Sequence, residues 1–194
     1  YQYALPYRID RIRELLSSRE RHNAEHFRLM MGDYHSKLVE RFLPGLLKVL
    51  SEESMRGNSE KALDLLRTWS GEVLKDSPGP AIFEMFYVSF LAYMALDVMG
   101  EDLYREFLGD GASAHQLFVH AWQNHDSPWL RKPGETPGEE FRRAVVSSFE
   151  DAVSRLEKLM GNNPEKWTWG RIHQLLVNHP MGGVKILDRL FGLN

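Results

Sequence analysis

A chain of 194 residues, 43% hydrophobic and 26% charged, is long enough to bury a core and has the composition of an ordinary globular domain, neither disordered nor fibrous. The absence of cysteine excludes disulfide scaffolds, cysteine-based zinc ribbons, thiol nucleophiles and redox motifs, and leaves oxidising and reducing compartments both open. With 24 Lys and Arg against 27 Asp and Glu, a net charge of −3, the chain lacks the basic excess that a nucleic-acid or anionic-membrane partner requires.

Apolar residues recur at helical spacing almost throughout, and no period-two run bounded by hairpin turns is present. The expected fold class is therefore all-α, an irregular multi-helix bundle in a single domain over 1–194. Pro6 precedes a first helix at 7–18, with Ile9, Ile12, Leu15 and Leu16 on one stripe. A shorter helix is expected at 23–31, stopped by Gly32. Asp33 is placed to N-cap a third at 34–50, which Pro44 should bend or break.

Ser59 is read as the cap of a helix at 60–69 that ends at Gly71, and K-D-S-P-G-P at 75–80 as a turn. Pro80 then opens a helix at 81–99, apolar nearly all round through Ile82, Phe83, Phe86, Phe90, Leu91 and Met94. Such a helix is buried by neighbours on several sides and is the expected centre of the core. Its most apolar part, 85–96, is closed by Glu84 and Asp97 and is shorter than the roughly 20 residues that cross a bilayer, so no membrane partner is expected.

Helices at 103–107 and 113–124 follow, then an irregular connection at 126–137 pinned by Trp129 and Leu130. T-P-G-E at 136–139 is a capping box with proline at the first helical position, leading into a helix over 141–160 that Gly161 ends. The aromatic, turn-rich tail from Asn162 holds one more expected helix near 184–191.

Chemistry is sparse in the residues themselves. His22-Asn23-Ala24-Glu25-His26 matches H-x-x-E-H, in which two histidines four apart on one helix face bind zinc and the glutamate acts on a bound water. A third ligand would have to come from Glu84 or Glu101, and the alternative is a solvated helix face. His115, His120 and His125 are spaced by five, which turns successive side chains off a common face, and they read as surface or half-buried histidines. Carboxylate pairs such as Glu139-Glu140 fall at helix ends, and no nucleophile elbow, P-loop or dinucleotide fingerprint occurs. Trp69, Trp122, Trp129, Trp167 and Trp169 lie at element ends and are expected to plug joins between helices, with a ligand-binding aromatic patch as the minor alternative.

Several segments taken in order resemble a known family. P-Y-R-I-D-R-I-R-E-L-L at 6–16, D-Y-H-S-K-L at 33–38 with Leu43-Pro44 beyond it, and L-L-R-T-W-S-G at 65–71 are similar to the stretch of penicillin acylases that follows their catalytic β-sandwich. D-S-P-G-P-A-I-F at 76–83, W-T-W-G-R-I-H at 167–173 with His179-Pro180, and L-D-R-L-F-G at 187–192 continue the likeness in the same order.

The resemblance implies an N-terminal-nucleophile hydrolase with an αββα core. Autoproteolysis exposes a serine whose own α-amino group takes the proton, while backbone and Asn amides hold the oxyanion. It also implies cleavage of acyl amides of β-lactams or N-acyl-homoserine lactones, a calcium ion in the parent protein, a periplasmic or secreted location, and an α chain and β-sandwich as partners. The chain begins at Tyr1, with no initiator Met, no Ser in the nucleophile position and no Asn before Pro6. It is therefore expected to be a trimmed helical piece without a cofactor of its own and inactive alone.

One functional residue carries over: Arg8 matches the family's active-site arginine, beside the oxyanion Asn and substrate. A cation in a helix's first turn also meets the positive end of the dipole, at a cost of up to about 1 kcal/mol unless something uses it. Two other readings stay open on the residues, a non-catalytic all-α interaction module and a zinc peptidase using His22, Glu25 and His26.

Overall fold

The computed structural model describes residues 5–130 and 136–175, and over them the chain is helical. In chain order come α1 (Tyr7–Ser17), α2 (Ala24–Met31), α3 (Lys37–Ser51), α4 (Asn58–Thr68), α5 (Pro78–Gly109), α6 (Gly111–Gln123), α7 (Pro137–Met160), a 3-10 turn (Pro164–Lys166) and α8 (Trp169–Ile172). The one β-type pairing among the described residues is a bridge between His35 and Glu72. The expected helix at 184–191, and with it the motifs at 179–180 and 187–192, lies outside the described residues.

The core forms where α5 and α7 lie along each other. Phe141, Ala144, Val145, Phe149, Ala152, Val153 and Leu156 of α7 are buried, a run at three- and four-residue steps that makes one continuous stripe. Opposite it stand Ile82, Phe83, Phe86, Phe90 and Met94 of α5. Helix α3 adds Val39, Phe42, Leu46 and Leu50, and α4 adds Ala62, Leu63 and Leu66. Trp122 knits the aromatic centre, with ring centroids 5.3 Å from Phe141, 5.4 Å from Phe118 and 5.8 Å from Phe90. Trp167 is fully buried and donates its indole N–H to the Gly161 carbonyl at 2.7 Å, so the tryptophans do plug joins.

Helix α5 differs in extent from the expected 81–99. It starts at Pro78 and continues to Gly109 through a kink at Gly100, whose φ of 74° and ψ of 166° are open to glycine and strained for other residues. The first limb therefore ends at Gly100, as expected, and the separate helix expected at 103–107 is the second limb, which resumes at once. By length and composition α5 is apolar enough to cross a membrane, which the shorter apolar stretch at 85–96 had not suggested. Here α4, α6, α7 and α8 pack around it, and it is the core helix.

Two helix starts and one break also differ from expectation. Asp33 does not cap α3, because its carboxylate is taken by Arg11. Ser36 caps instead, accepting from the Val39 N–H at 3.3 Å, while Tyr34 and Ser36 pair by backbone bonds with Val73 and Gly71. Ser59 does not cap α4 either: the N-cap is Gly57, and Asn58 sends its amide across to the Glu157 carboxylate at 2.6 Å. Pro44 neither ends nor breaks α3; it sits on the exposed side, where the carbonyl it leaves unpaired meets water.

The capping box at the head of α7 is as expected. Glu139 Oε2 accepts from the Thr136 N–H at 3.0 Å, and Thr136 Oγ1 accepts from the Glu139 N–H at 3.4 Å.

Candidate functional site

Arg8 stands in the first turn of α1, exposed to solvent. Helix α1 buries no side chain completely and runs over one end of the bundle beside α2. Between α1, α2 and the start of α3 lies a groove of about 640 Å³. Its walls are apolar: Ile12, Leu15 and Leu16 from α1, and Phe27 and Met30 from α2. Its polar edge carries Arg8, Arg11, Asp33, His35 and Lys37.

Most of those charges are spoken for. Arg11 grips Asp33 in a two-pronged pair, Nε to Oδ2 at 2.9 Å and Nη2 to Oδ1 at 2.7 Å, and reaches Glu14 at 3.0 Å. The guanidinium holds the Asp33 carboxyl below the usual carboxylate range, and the pair fixes α1 to the link before α3. Lys37 lies 2.6 Å from Glu40, with His35 Nε2 on the same carboxylate at 2.8 Å, and Lys37 and then His35 lower the Glu40 pKa. Arg8 makes no hydrogen bond or ion pair among the described residues. It is the cation at the groove left available to a ligand or to another part of the protein.

Tyr7, one residue before Arg8, also lines the groove and packs against the core. Its hydroxyl lies 2.7 Å from His115 Nε2, and the Tyr87 hydroxyl lies 3.4 Å from His115 Nδ1. His115 is 4% exposed, so it is neither a surface nor a half-buried histidine as its spacing had suggested. It stacks at 6.2 Å on Phe118 and at 6.2 Å on Tyr87. Burial, then the nearby Arg41 guanidinium, pushes its pKa down, so it is the neutral imidazole, with one donor and one acceptor for the two phenols.

Burial raises both tyrosines above their ordinary range. It also pushes the Glu84 carboxyl, whose charge acts on Tyr87, up to about 7. The sequence had one signal for this cluster: Ala114, Phe118 and Ala121 share the buried side of α6 with position 115.

The H-x-x-E-H segment serves a different end. Helix α2 begins at Ala24, after His22, so the two histidines do not share a helix face. Asn23 is the N-cap, its Oδ1 accepting from the His26 N–H at 2.9 Å while its own N–H points to His26 Nδ1 at 3.4 Å. Glu25 turns to Arg28, 2.6 and 2.8 Å away. His22 Nε2 donates to the Leu16 carbonyl at 2.9 Å, and its Nδ1 has no partner. Neither Glu84 nor Glu101 is brought to them, and among the described residues no three His, Asp or Glu side chains are grouped to hold a metal.

Comparison with known proteins bears on the same segments. The family model described as penicillin amidase matches residues 1–194. A protein named acyl-homoserine lactone acylase QuiP from Pseudomonas fluorescens is 25% identical over 188 residues, 89% of this chain and 23% of that protein. Its namesake from Pseudomonas syringae pv. tomato is 25% identical over 187 residues, 89% of this chain and 23% of its own length. One from Pseudomonas aeruginosa is 23% identical over 184 residues, with 87% and 22% covered. The chain thus spans less than a quarter of the length of these relatives. Because the match runs from the turn bearing Arg8 through the whole helical bundle and beyond it, the chain belongs to the penicillin amidase family.

Proposed function

We propose that this chain is the helical portion of an amidohydrolase, and that the complete protein hydrolyses the acyl-amide bond of β-lactams or of other N-acylated small molecules such as N-acyl-homoserine lactones. Family membership and the relatives' names support the class of reaction. The observation that carries the reading is Arg8, without a partner among the described residues, at the edge of an apolar-walled groove. A guanidinium there can order the polar end of an acyl amide by charge-assisted hydrogen bonds, while an apolar wall suits the burial of an acyl chain.

The serine nucleophile, its α-amino base, the oxyanion Asn and the αββα sandwich belong, in this reading, to other parts of the protein. Those parts are also the proposed cover for α1 and α2, which leave Ile9, Ile12, Leu16, Phe27 and Leu29 exposed. The calcium that the family implies does not fit the described residues, which offer no grouped carboxylates, and is assigned elsewhere in the protein. A periplasmic or secreted location completes the proposal on the strength of the resemblance alone.

In the complete, processed protein, Arg8→Ala is expected to lower kcat/KM for an N-acyl-homoserine lactone or a phenylacetyl anilide by about 100-fold or more. Undiminished kcat/KM removes the role. The purified 194-residue chain is expected to hydrolyse neither substrate, and detectable turnover would overturn that part.

A further inference from the structure

We infer that His115 is a positioning residue: through Tyr7 it fixes the first turn of α1, and with it Arg8, against the helical core. The functional half of this inference rests on the proposed role of Arg8; the structural half stands on the contacts alone.

Helix α1 needs such an anchor. Of its side chains only Tyr7, Arg11 and Leu15 are even partly buried, and these stand four apart on a single face. Arg11 ties the middle of the helix to Asp33, which is itself on a link and not in the core. Tyr7 is the α1 side chain packed against the core cluster, and its hydroxyl meets His115. The phenol is also hydrogen-bonded by Arg41 of α3; beyond these two contacts the first turn is held by backbone bonds, among them that from the Asp10 N–H to the Pro6 carbonyl.

His115 is built to be a fixed point. Its ring packs on Phe118 and Tyr87, which also touch each other at 4.7 Å, and is approached edge-on by Phe42 at 6.3 Å and by Tyr7 at 5.2 Å. Both nitrogens are used, one on Tyr7 from α1 and one on Tyr87 from α5, so the imidazole joins three helices and cannot rotate without losing a hydrogen bond. Arg41 of α3 and Glu84 of α5 are the charged groups nearest this trio. Tyr7 and Arg8 are adjacent in one helical turn, so any displacement of the phenol is passed to the guanidinium. A misplacement of about 1 Å in a substrate-ordering group is enough to cost a large factor in rate.

The test uses the complete, processed protein with His115→Leu, His115→Gln and Tyr7→Phe, alone and combined with Arg8→Ala. Hydrolysis of a chromogenic phenylacetyl anilide and amide hydrogen exchange along α1 are both measured. His115→Leu and Tyr7→Phe are each expected to reduce kcat/KM by about tenfold, His115→Gln to recover most of it, and neither loss to add to that of Arg8→Ala. The amides of residues 10–13 should exchange about tenfold faster in the Leu and Phe variants while those of α7 stay unchanged.

Tyr7→Phe removes a single oxygen and keeps the test open if His115→Leu does not fold. Unchanged exchange in α1 for Tyr7→Phe overturns the anchoring. Accelerated exchange with an unchanged kcat/KM, or a loss that adds to that of Arg8→Ala, overturns the positioning of Arg8. If Arg8→Ala is itself fully active, the proposed function fails at Arg8, and the exchange result still decides the anchor.

Discussion

The indole of Trp69 lies over the α-carbon of Gly79, so that a methyl group at position 79 would overlap the ring. Trp69 closes α4 and Gly79 opens α5, and the same indole donates to the Glu72 carbonyl at 2.9 Å while its ring centroid stands 6.1 Å from that of Phe83. The glycine is needed for close approach, since its backbone is ordinary helix. Gly79→Ala is expected to destabilise the chain by about 1–3 kcal/mol through overpacking, read as a lower midpoint in urea with an unchanged slope. A midpoint equal to that of the parent would show that the ring moves aside freely.

The Arg11–Asp33 pair makes α1 sensitive to acid. Asp33 is held below its ordinary value near 3.8 by Arg11, so its contribution is present in full above that value and is lost as pH falls through the lowered one. Asp33→Asn is expected to remove about 1 kcal/mol of stability at pH 7, with the difference from the parent vanishing in strong acid. An equal difference at pH 2 and pH 7 would contradict the linkage.

Glu84 acts in the opposite sense. Its pKa in the folded chain is raised from about 4.5 to about 7 by burial, so the folded form holds a proton that the unfolded form releases, and stability falls as pH rises through that window. Glu84→Gln should therefore stabilise the chain at pH 8 by on the order of 2 kcal/mol and do little at pH 4. Thermal melts at the two pH values measure both, and a gain that does not depend on pH would point to packing instead.

At the other end of α1, the segment around His22 should behave as a helix start. Asn23→Ala is expected to cost α2 about 1 kcal/mol, visible as faster exchange at residues 25–28, and His26→Ala less. Elemental analysis should find the same zinc content in parent and His26→Ala protein. Stoichiometric zinc that disappears in His26→Ala would restore the peptidase reading.

Features decided within a few residues were legible in the sequence. T-P-G-E at 136–139 contains both partners of its capping box, and the stripe from Phe141 to Leu156 declares its buried face. Features decided by distant partners were not. Asp33 and Ser36 are both able to cap a helix, and only Arg11, 22 residues away, takes the first out of contention. Gly100 reads locally as a stop, and its non-helical φ and ψ do end the first limb of α5; what the local sequence does not show is that a second limb starts at once.

The candidate site divides in the same way. Arg8 is legible through the family resemblance of 6–16, but its groove exists only because α2 folds beside α1. The spacing of His115 to His120 and His125 points to no shared face, whereas its apolar neighbours Ala114, Phe118 and Ala121 mark the buried side of α6 on which it lies. Which nitrogens it shares with Tyr7 and Tyr87 is a property of three helices together and is written in none of them.

The contacts that secure the N-terminal helices have one consequence for synthesis of the protein. Tyr7 meets a partner 108 residues downstream, and Asn58 meets one 99 residues downstream. On a ribosome adding roughly 5–20 residues per second, α1 and α4 therefore wait roughly 5–20 s for α6 and α7 to be made. Through that interval α1 and α4 can pack on α3 and α5 only, and the part of α4 that meets α7 and the Tyr7 phenol that meets His115 stay uncovered.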